Sequence, residues 1–178
     1  ELSNINNNPK KTFFNFNLRY SKIFNILKNL VKEKKLGNIY HAYISSSHLF
    51  GKNINYKNSW RSKKNLNKLG LIENVGIHYI DIFSVLFNKP EEITHYSSNV
   101  LKDTSSYDNC SVIVTYKNNL KLFIYLSYVT AFDFNMKLVG TNGIFEIYDS
   151  KAKLLLGHKK DAKTKRYCRS SVSKEWKL

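Results

Sequence analysis

The segment from Gly70 to Asp81 contains the residues whose types and spacing are best suited to chemistry. If the chain is helical from Asn74 onward, Asn74 and His78 lie one turn apart on one face, and Asp81 follows about one turn later. A histidine titrates near neutrality, so His78 on a rigid helix is suited to act as a general acid or base. Asn74 can hydrogen-bond a substrate hydroxyl or orient the imidazole, but it cannot act as a charged partner. The spacing alone slightly favours a structural alternative, a buried His78 held by Asn74 and the backbone.

Gly76 lies inside the same predicted helix, between the two polar side chains. A glycine at such a position costs roughly 1 kcal/mol of helix propensity relative to alanine. We therefore expect Gly76 to serve the close approach of a ligand or of another stretch of backbone.

Other catalytic and metal-binding patterns are absent from the sequence. The glycines never follow the G-x-G-x-x-G spacing of a dinucleotide loop, and no G-x-S-x-G nucleophile turn occurs. The remaining histidines lack metal-ligand spacing with carboxylates or thiols and are expected at strand or loop surfaces: His41, His48, His95 and His158. Cys110 and Cys168 lie far apart and are predicted to be free thiols. The sequence therefore predicts no metal site and no cofactor-binding residue in this chain.

The composition is that of one globular domain. The chain has 178 residues, of which 42% are hydrophobic and 14% aromatic, and this length can bury a single core. No apolar run reaches the roughly 18 residues that a membrane span needs, and the polar, Asn-rich start lacks the apolar stretch of a secretory signal. We therefore expect a cytoplasmic protein that does not bind membranes.

The formal net charge of +16, taken alone, indicates nucleic acid as a candidate partner. Lysine greatly outnumbers arginine, however, and the lysines are scattered apart from one cluster at residues 159–169. This pattern is more typical of a solvated surface and of a codon bias toward Lys, Asn and Ile than of selected phosphate contacts. It therefore favours no nucleic-acid partner, and it is compatible with a modest attraction of an anionic substrate.

The first half of the chain is predicted to hold two helices and a strand. A short β-like run covers residues 13–18, and an amphipathic helix capped by Ser21 follows it and ends at Gly37. A strand at 38–47 then runs into a long polar stretch, residues 45–68, without a clear period. A loop of that length is usually functional or disordered, and the Trp60 inside it favours function.

A second helix is predicted over residues 71–87, and Asn88, Lys89 and Pro90 end it. The pattern then changes to period two, and strands are predicted at 93–100, 111–116, 120–130, 134–139, 144–148 and 153–156. Asn142-Gly143 is the strongest hairpin signal in the chain. The predicted fold class is therefore α+β, an open, mostly antiparallel β-sheet with helices packed on one face.

The order of these features resembles the C-terminal α/β domain of the Gfo/Idh/MocA oxidoreductases. The resemblance covers roughly residues 12–156 and rests on an ordered set of short matches. These are Phe14-Asn15-Phe16-Asn17-Leu18-Arg19-Tyr20, Leu36-Gly37-Asn38-Ile39-Tyr40, Ser59-Trp60-Arg61, Gly76-Ile77-His78-Tyr79-Ile80-Asp81 and Leu138-Val139-Gly140-Thr141-Asn142-Gly143. In that family an N-terminal Rossmann domain precedes a domain whose open sheet binds substrate and mediates oligomers.

The resemblance implies roles for individual residues. His78 matches the family's catalytic histidine, which assists proton transfer at a sugar hydroxyl as hydride moves to nicotinamide. Asn74 falls where many members carry Asp, and the Asn variant resembles a branch that acts on nucleotide-linked sugars of surface polysaccharides. Trp60 and Arg61 match a pair in the loop that lines the active site. Arg19 and Tyr20 match the start of the domain crossover, and all four are expected to contact substrate.

The sequence also departs from the family pattern. The family's E-K-P segment, with its catalytic lysine, and its phosphate-binding loop have no counterpart here, so the resemblance implies that NAD or NADP is bound by a missing N-terminal domain. The expected division is 1–17 as the end of that domain, 18–157 as the substrate-binding and oligomerisation domain, and 158–178 as a basic tail or truncated element.

The leading hypothesis is therefore the C-terminal part of an NAD(P)-dependent dehydrogenase of a sugar or nucleotide sugar, inactive by itself and homo-oligomeric through its sheet. A standalone binding or oligomerisation module with the same fold is the alternative. A basic nucleic-acid-binding domain is the least favoured hypothesis.

Overall fold

The computed structural model describes residues 15–148, 150–157 and 171–178. Its helices are α1 (Lys22–Lys32), α2 (Ile54–Lys57) and α3 (Ile77–Phe87), and a π-helical turn, Ile72–Gly76, leads directly into α3. The strands are β1 (Ile39–Ser47), β2 (Glu92–Ser98), β3 (Asn109–Thr115), β4 (Lys121–Ser127), β5 (Asp133–Gly140), β6 (Gly143–Tyr148), β7 (Lys151–Leu156) and β8 (Ser171–Lys177).

The eight strands form one open sheet in the order β2-β3-β4-β1-β5-β6-β7-β8. Every neighbouring pair is antiparallel except β1 and β4, which run parallel. The chain therefore places its first strand in the middle of the sheet, between strands that come some eighty or more residues later. The predicted α+β class is confirmed.

One face of the sheet and the two long helices share a single core. Alternate residues of the central strands point toward the helices because side chains on a strand alternate between faces. Buried members from the strands include Ala42, Ile44, Val112, Val114, Leu122, Ile124, Leu126 and Leu138, and those from the helices include Leu27, Leu30, Ile82 and Phe83. The helices therefore cover one face only, and the opposite face carries His41, Tyr43, Phe123 and Tyr125.

Local sequence signals explain most of the element boundaries. The Ser21 hydroxyl accepts a hydrogen bond from the Phe24 N–H and caps α1, as the sequence predicts. Gly37 closes the connection after α1 with a φ of +68°. Asn118 and Asn119 take positive φ in the turn between β3 and β4.

Two predictions for the first half of the chain are wrong in detail. The β-like run over residues 13–18 is contradicted at its end, because Asn17–Tyr20 form a 3-10 turn, whereas residues 13 and 14 lie outside the described part. The stretch 45–68 is not one long loop. Its first three residues belong to β1, and the rest contains α2 and two 3-10 turns, Leu49–Lys52 and Trp60–Ser62.

Strand β8 is an element that the sequence analysis does not predict. It pairs antiparallel with β7 at the sheet edge, and its Trp176 lies 6.2 Å from the Phe145 ring. Residues 158–170, which include His158, Cys168 and the whole lysine cluster, lie outside the described residues. Among the helices of the described ranges, none combines the length and the apolar character that crossing a bilayer requires.

Candidate active site at the start of the third helix

The helix that carries His78 begins with a π-helical turn, Ile72–Gly76, which is a local feature often found at functional sites. Gly76 is buried there, and a Cβ at this position would lie 3.2 Å from Cδ1 of Leu126 on β4. The close approach predicted for Gly76 therefore exists, but it is to a side chain of the sheet and not to a ligand or another backbone. The lack of a side chain at Gly76 lets the start of α3 pack directly on β4.

His78 lies on the first turn of α3 and is half-buried. Its Nδ1 atom is buried and has no hydrogen-bond partner in the described part of the chain. The ring of Phe16 meets the imidazole in a T-shaped arrangement, with 6.1 Å between the ring centroids. Because Nδ1 is shielded from solvent, a bound hydroxyl would have to meet the other ring nitrogen, Nε2, of the half-buried imidazole.

Asn74 does not orient the imidazole in this structure. Its Nδ2 donates a hydrogen bond to the Gly70 carbonyl at 3.0 Å, and no hydrogen bond joins Asn74 to His78. Gly70 itself has a φ of +60°, and a Cβ there would lie 2.2 Å from the Tyr107 carbonyl oxygen. The Asn74 side chain thus holds the Gly70 turn that leads into the helix. An ionised aspartate could not make this hydrogen bond because it has no proton to donate.

Asp81 accepts two hydrogen bonds from Arg19. The Nε–Oδ2 distance is 2.7 Å and the Nη2–Oδ1 distance is 2.5 Å, and this interaction raises the pKa of the guanidinium. The same guanidinium lies 5.2 Å from the centre of the Phe16 ring. The structure therefore brings together Arg19, Phe16, His78 and Asp81.

Trp60 and Arg61 form a second group in the segment between β1 and the π-helical turn. The Arg61 guanidinium stacks on the Trp60 indole at 4.7 Å, and Asn67 Nδ2 donates to the Arg61 carbonyl at 2.7 Å. Burial raises the pKa of Tyr128, and the charge of Arg61 partly opposes this, so the guanidinium lies near that phenol. No hydrogen bond or ring contact joins this pair to His78. Tyr20, the remaining predicted residue, is 72% exposed.

The contact of Phe16 with His78 is not predicted from the sequence, because the alternation of Phe16 with two asparagines indicates a strand. The prediction that places His48 on a strand or loop surface is wrong. His48 is half-buried beside Tyr128, with 4.9 Å between the ring centroids, and burial lowers its pKa. The aromatic residues that follow β1 in the sequence are the signal from which the burial of His48 could have been predicted. Among the described residues, no group of three His, Cys, Asp or Glu side chains could hold a metal ion.

Comparison with known proteins gives one family match. The model of the GFO/IDH/MocA C-terminal domain matches residues 24–146. The search of curated protein sequences returns no match.

Solved structures share the fold at low sequence identity. An oxidoreductase from Agrobacterium radiobacter, solved with NAD+, L-tartaric acid and magnesium, has a TM-score of 0.70 and 14% identity over 89% of this chain and 44% of its own. An inositol dehydrogenase homologue from Azotobacter vinelandii, complexed with NAD+, has a TM-score of 0.69 and 15% identity over 89% and 42%. A levoglucosan dehydrogenase, complexed with NADH and levoglucosan, has a TM-score of 0.71 and 14% identity over 89% and 45%. The chain thus spans less than half the length of each.

Proposed function

The chain belongs to the GFO/IDH/MocA C-terminal domain family, and from this premise we propose that it is the substrate-binding part of an NAD(P)-dependent oxidoreductase. The proposed substrate is a sugar or nucleotide sugar, oxidised at one hydroxyl. Structural neighbours that bind NAD+ or NADH, among them a levoglucosan dehydrogenase, support this reaction class.

The observation that carries the proposal is the half-buried imidazole of His78 at the start of α3, whose Nδ1 atom is not engaged by any hydrogen bond in the described part of the chain. Oxidation of a secondary alcohol removes a proton from oxygen and a hydride from carbon. His78 is proposed to take the proton, since an imidazole nitrogen can accept one as a general base. Asn74 lies on the preceding turn and is proposed to contact the substrate through its oxygen, because its Nδ2 is held by Gly70.

The nicotinamide cofactor does not fit the described residues. A dinucleotide site needs a strand, a glycine-rich turn and a helix whose N-terminus receives the pyrophosphate. Here α1 follows a 3-10 turn and α3 follows a π-helical turn, and neither begins directly after a strand. We propose that a separate dinucleotide-binding domain supplies NAD or NADP, and that this chain has no turnover without it.

Trp60 and Arg61 are proposed to recognise the substrate. An exposed indole is a suitable platform for a sugar ring, and the guanidinium stacked on it makes no salt bridge in the described structure. Such a guanidinium suits a phosphate or a carboxylate. Tyr20 and Arg19 are proposed to contact the same substrate. A nucleotide sugar of a polysaccharide pathway, handled in the cytoplasm, is our proposed finer class.

The open face of the sheet is proposed to pair with a second copy of the chain. It carries Tyr43, which is 38% exposed, next to the rings of His41 and Phe123, whose centroids lie 5.3 Å apart at an interplanar angle of 30°. Aromatic side chains are enriched at protein interfaces. The alternative function, a standalone binding or oligomerisation module, would use this face without catalysis.

Replacement of His78 by asparagine tests the catalytic proposal. In the enzyme that combines this chain with its cofactor domain, we expect kcat for sugar oxidation to fall by roughly 10²–10⁴-fold, with the Kd for the nicotinamide cofactor unchanged. His95→Asn, on the exposed strand β2, is the matched control and should retain full turnover. Undiminished kcat in His78→Asn would reduce His78 to a structural residue. Sugar binding without turnover by the unmodified enzyme would favour the module.

A further inference from the structure

We propose that the ion pair of Arg19 and Asp81 is a positioning device for the His78 imidazole, and that it acts through the ring of Phe16. This inference rests on the proposed catalytic role of His78. It assigns Arg19 and Phe16 a function that does not require either of them to contact the substrate.

The first step is the attachment of the Asn17–Tyr20 turn to α3. Arg19 reaches Asp81 over a sequence separation of 62 residues and forms both hydrogen bonds of a bidentate pair. The Asp81 side chain is only 10% exposed to solvent, whereas the Arg19 side chain is 44% exposed. A planar guanidinium held by two bonds has a defined orientation, which a lysine at this position would lack.

The second step transmits that orientation to Phe16. The Arg19 guanidinium lies 5.2 Å from the centroid of the Phe16 ring, within the range of a cation–π contact. Phe16 is half-buried and precedes the 3-10 turn directly. The aromatic ring thus contacts both the Arg19 guanidinium and His78 of α3.

The third step is the contact of Phe16 with the imidazole. The two rings meet at an interplanar angle of 79°, with centroids 6.1 Å apart. Nδ1 of His78 has no hydrogen-bond partner in the described part of the chain, and Asn74 is engaged with Gly70. Among the described residues Phe16 makes the aromatic ring contact of His78, so we infer that it restricts the rotation of the imidazole and that Arg19 fixes Phe16.

Nuclear magnetic resonance of the full chain tests the proposal. In the unmodified protein we expect cross-relaxation between the Phe16 and His78 ring protons, and a ring-current shift of the His78 Cε1 proton. Arg19→Gln should remove the cross-relaxation and move the His78 signal toward the value of a free histidine. The thermal midpoint should fall as well, because the substitution leaves the largely shielded Asp81 carboxylate without its cation, so the signals are compared at a temperature at which both proteins are folded. Arg19→Lys should restore the signals only in part.

Lys57→Gln is the control, because Lys57 forms an ion pair with Asp103, a carboxylate that is 52% exposed, in segments other than the Asn17–Tyr20 turn and α3. It should leave the His78 signals unchanged. The proposal is overturned if Arg19→Gln leaves them unchanged too, or if both variants shift them equally. Phe16→Leu provides a second test if Arg19→Gln does not fold, since it keeps the ion pair but removes the ring. It should move the His78 signal to the same extent, and an unmoved signal would also overturn the proposal.

The two proposals fail in different ways. If His78→Asn retains turnover while Arg19→Gln alters the His78 signals, the catalytic role is wrong and the positioning contact is real. If His78→Asn abolishes turnover and Arg19→Gln leaves the His78 signals unchanged, only the proposed positioning role of Arg19 is wrong.

Discussion

His48 occupies a cluster of aromatic side chains just beyond the end of β1. Its ring centroid lies 4.9 Å from that of Tyr128 and 5.7 Å from that of Phe50. Its Nδ1 accepts a hydrogen bond from the Phe50 N–H at 3.3 Å, so this nitrogen must be unprotonated. Burial lowers the pKa of His48 below its ordinary value of 6.5, because a charged imidazole would lose hydration in the cluster.

Acid should therefore destabilise the fold through His48. A lowered pKa means that the unfolded chain binds more protons than the folded one as pH falls through 6.5, so the free energy of unfolding decreases. The stabilisation is fully present above that pH and is lost between it and the lower pKa of the folded state. Urea unfolding between about pH 5 and 8 measures this slope, given the reference pKa of histidine.

The variant His48→Gln should flatten this dependence, since it removes the titrating group. His95→Gln, on the exposed edge strand β2, should keep it. A slope that is equally steep in the His48 variant would assign the acid sensitivity to another group.

At the scale of the element, two glycines shape the entry into α3 for different reasons. Gly70 has a φ of +60° and a would-be Cβ that overlaps the Tyr107 carbonyl oxygen at 2.2 Å, whereas the would-be Cβ of Gly76 meets only the tip of Leu126 at 3.2 Å. A backbone oxygen cannot move aside as readily as a flexible methyl group. The two positions therefore predict different responses to the same substitution.

Gly70→Ala should lower the free energy of unfolding by more than about 2 kcal/mol, from backbone strain and overlap together. Gly76→Ala should change it by less than about 1 kcal/mol, since a gain in helix propensity offsets the crowding of Leu126. Urea denaturation of the two variants measures both values. An equally large decrease in the free energy of unfolding for both variants would show that the π-helical turn tolerates no side chain at Gly76. The predicted difference between the two glycines would then be wrong.

Periodicity predicted most of the elements but not the contacts between them. The alternation in β3 to β7 and the helical spacing in α1 reflect burial on one face, which is a local property of the sequence. Strand β8 escaped prediction because Ser173, Lys174 and Glu175 give it little apolar alternation. The π-helical turn has no residue pattern that distinguishes it from the α-helix predicted there.

For the candidate site, spacing singled out His78 and Asp81 because they share a helix. Their partners Phe16 and Arg19 were out of reach, since the contact joins segments 62 residues apart. The family resemblance singled out Arg19 and Tyr20 without indicating the pair with Asp81. The predicted substrate contacts of Arg19, Tyr20, Trp60 and Arg61 stay predictions.

At the scale of the whole molecule, the sheet face that the described residues leave uncovered predicts self-association. Phe123→Lys places a charge at the centre of the aromatic group formed with His41 and Tyr43. We expect size-exclusion chromatography with light scattering to show an oligomer for the unmodified chain and a monomer for this variant. Ile54→Lys changes a residue of α2 that is 64% exposed and should leave the oligomer intact. A monomeric unmodified chain would contradict the proposal.

The central position of β1 has a consequence for how the chain folds. Both edges of β1 pair with strands made much later, since His41 lies opposite Lys121 on one side and Val139 on the other. A ribosome therefore releases β1 long before either neighbour exists, and closure of these distant pairs sets a slow step compared with the successive hairpins of β5 to β7. Until β1 enters the gap, β4 and β5 present open edges to other chains. Aggregation of nascent or truncated chains should therefore begin at this gap rather than at the outer edges of the finished sheet.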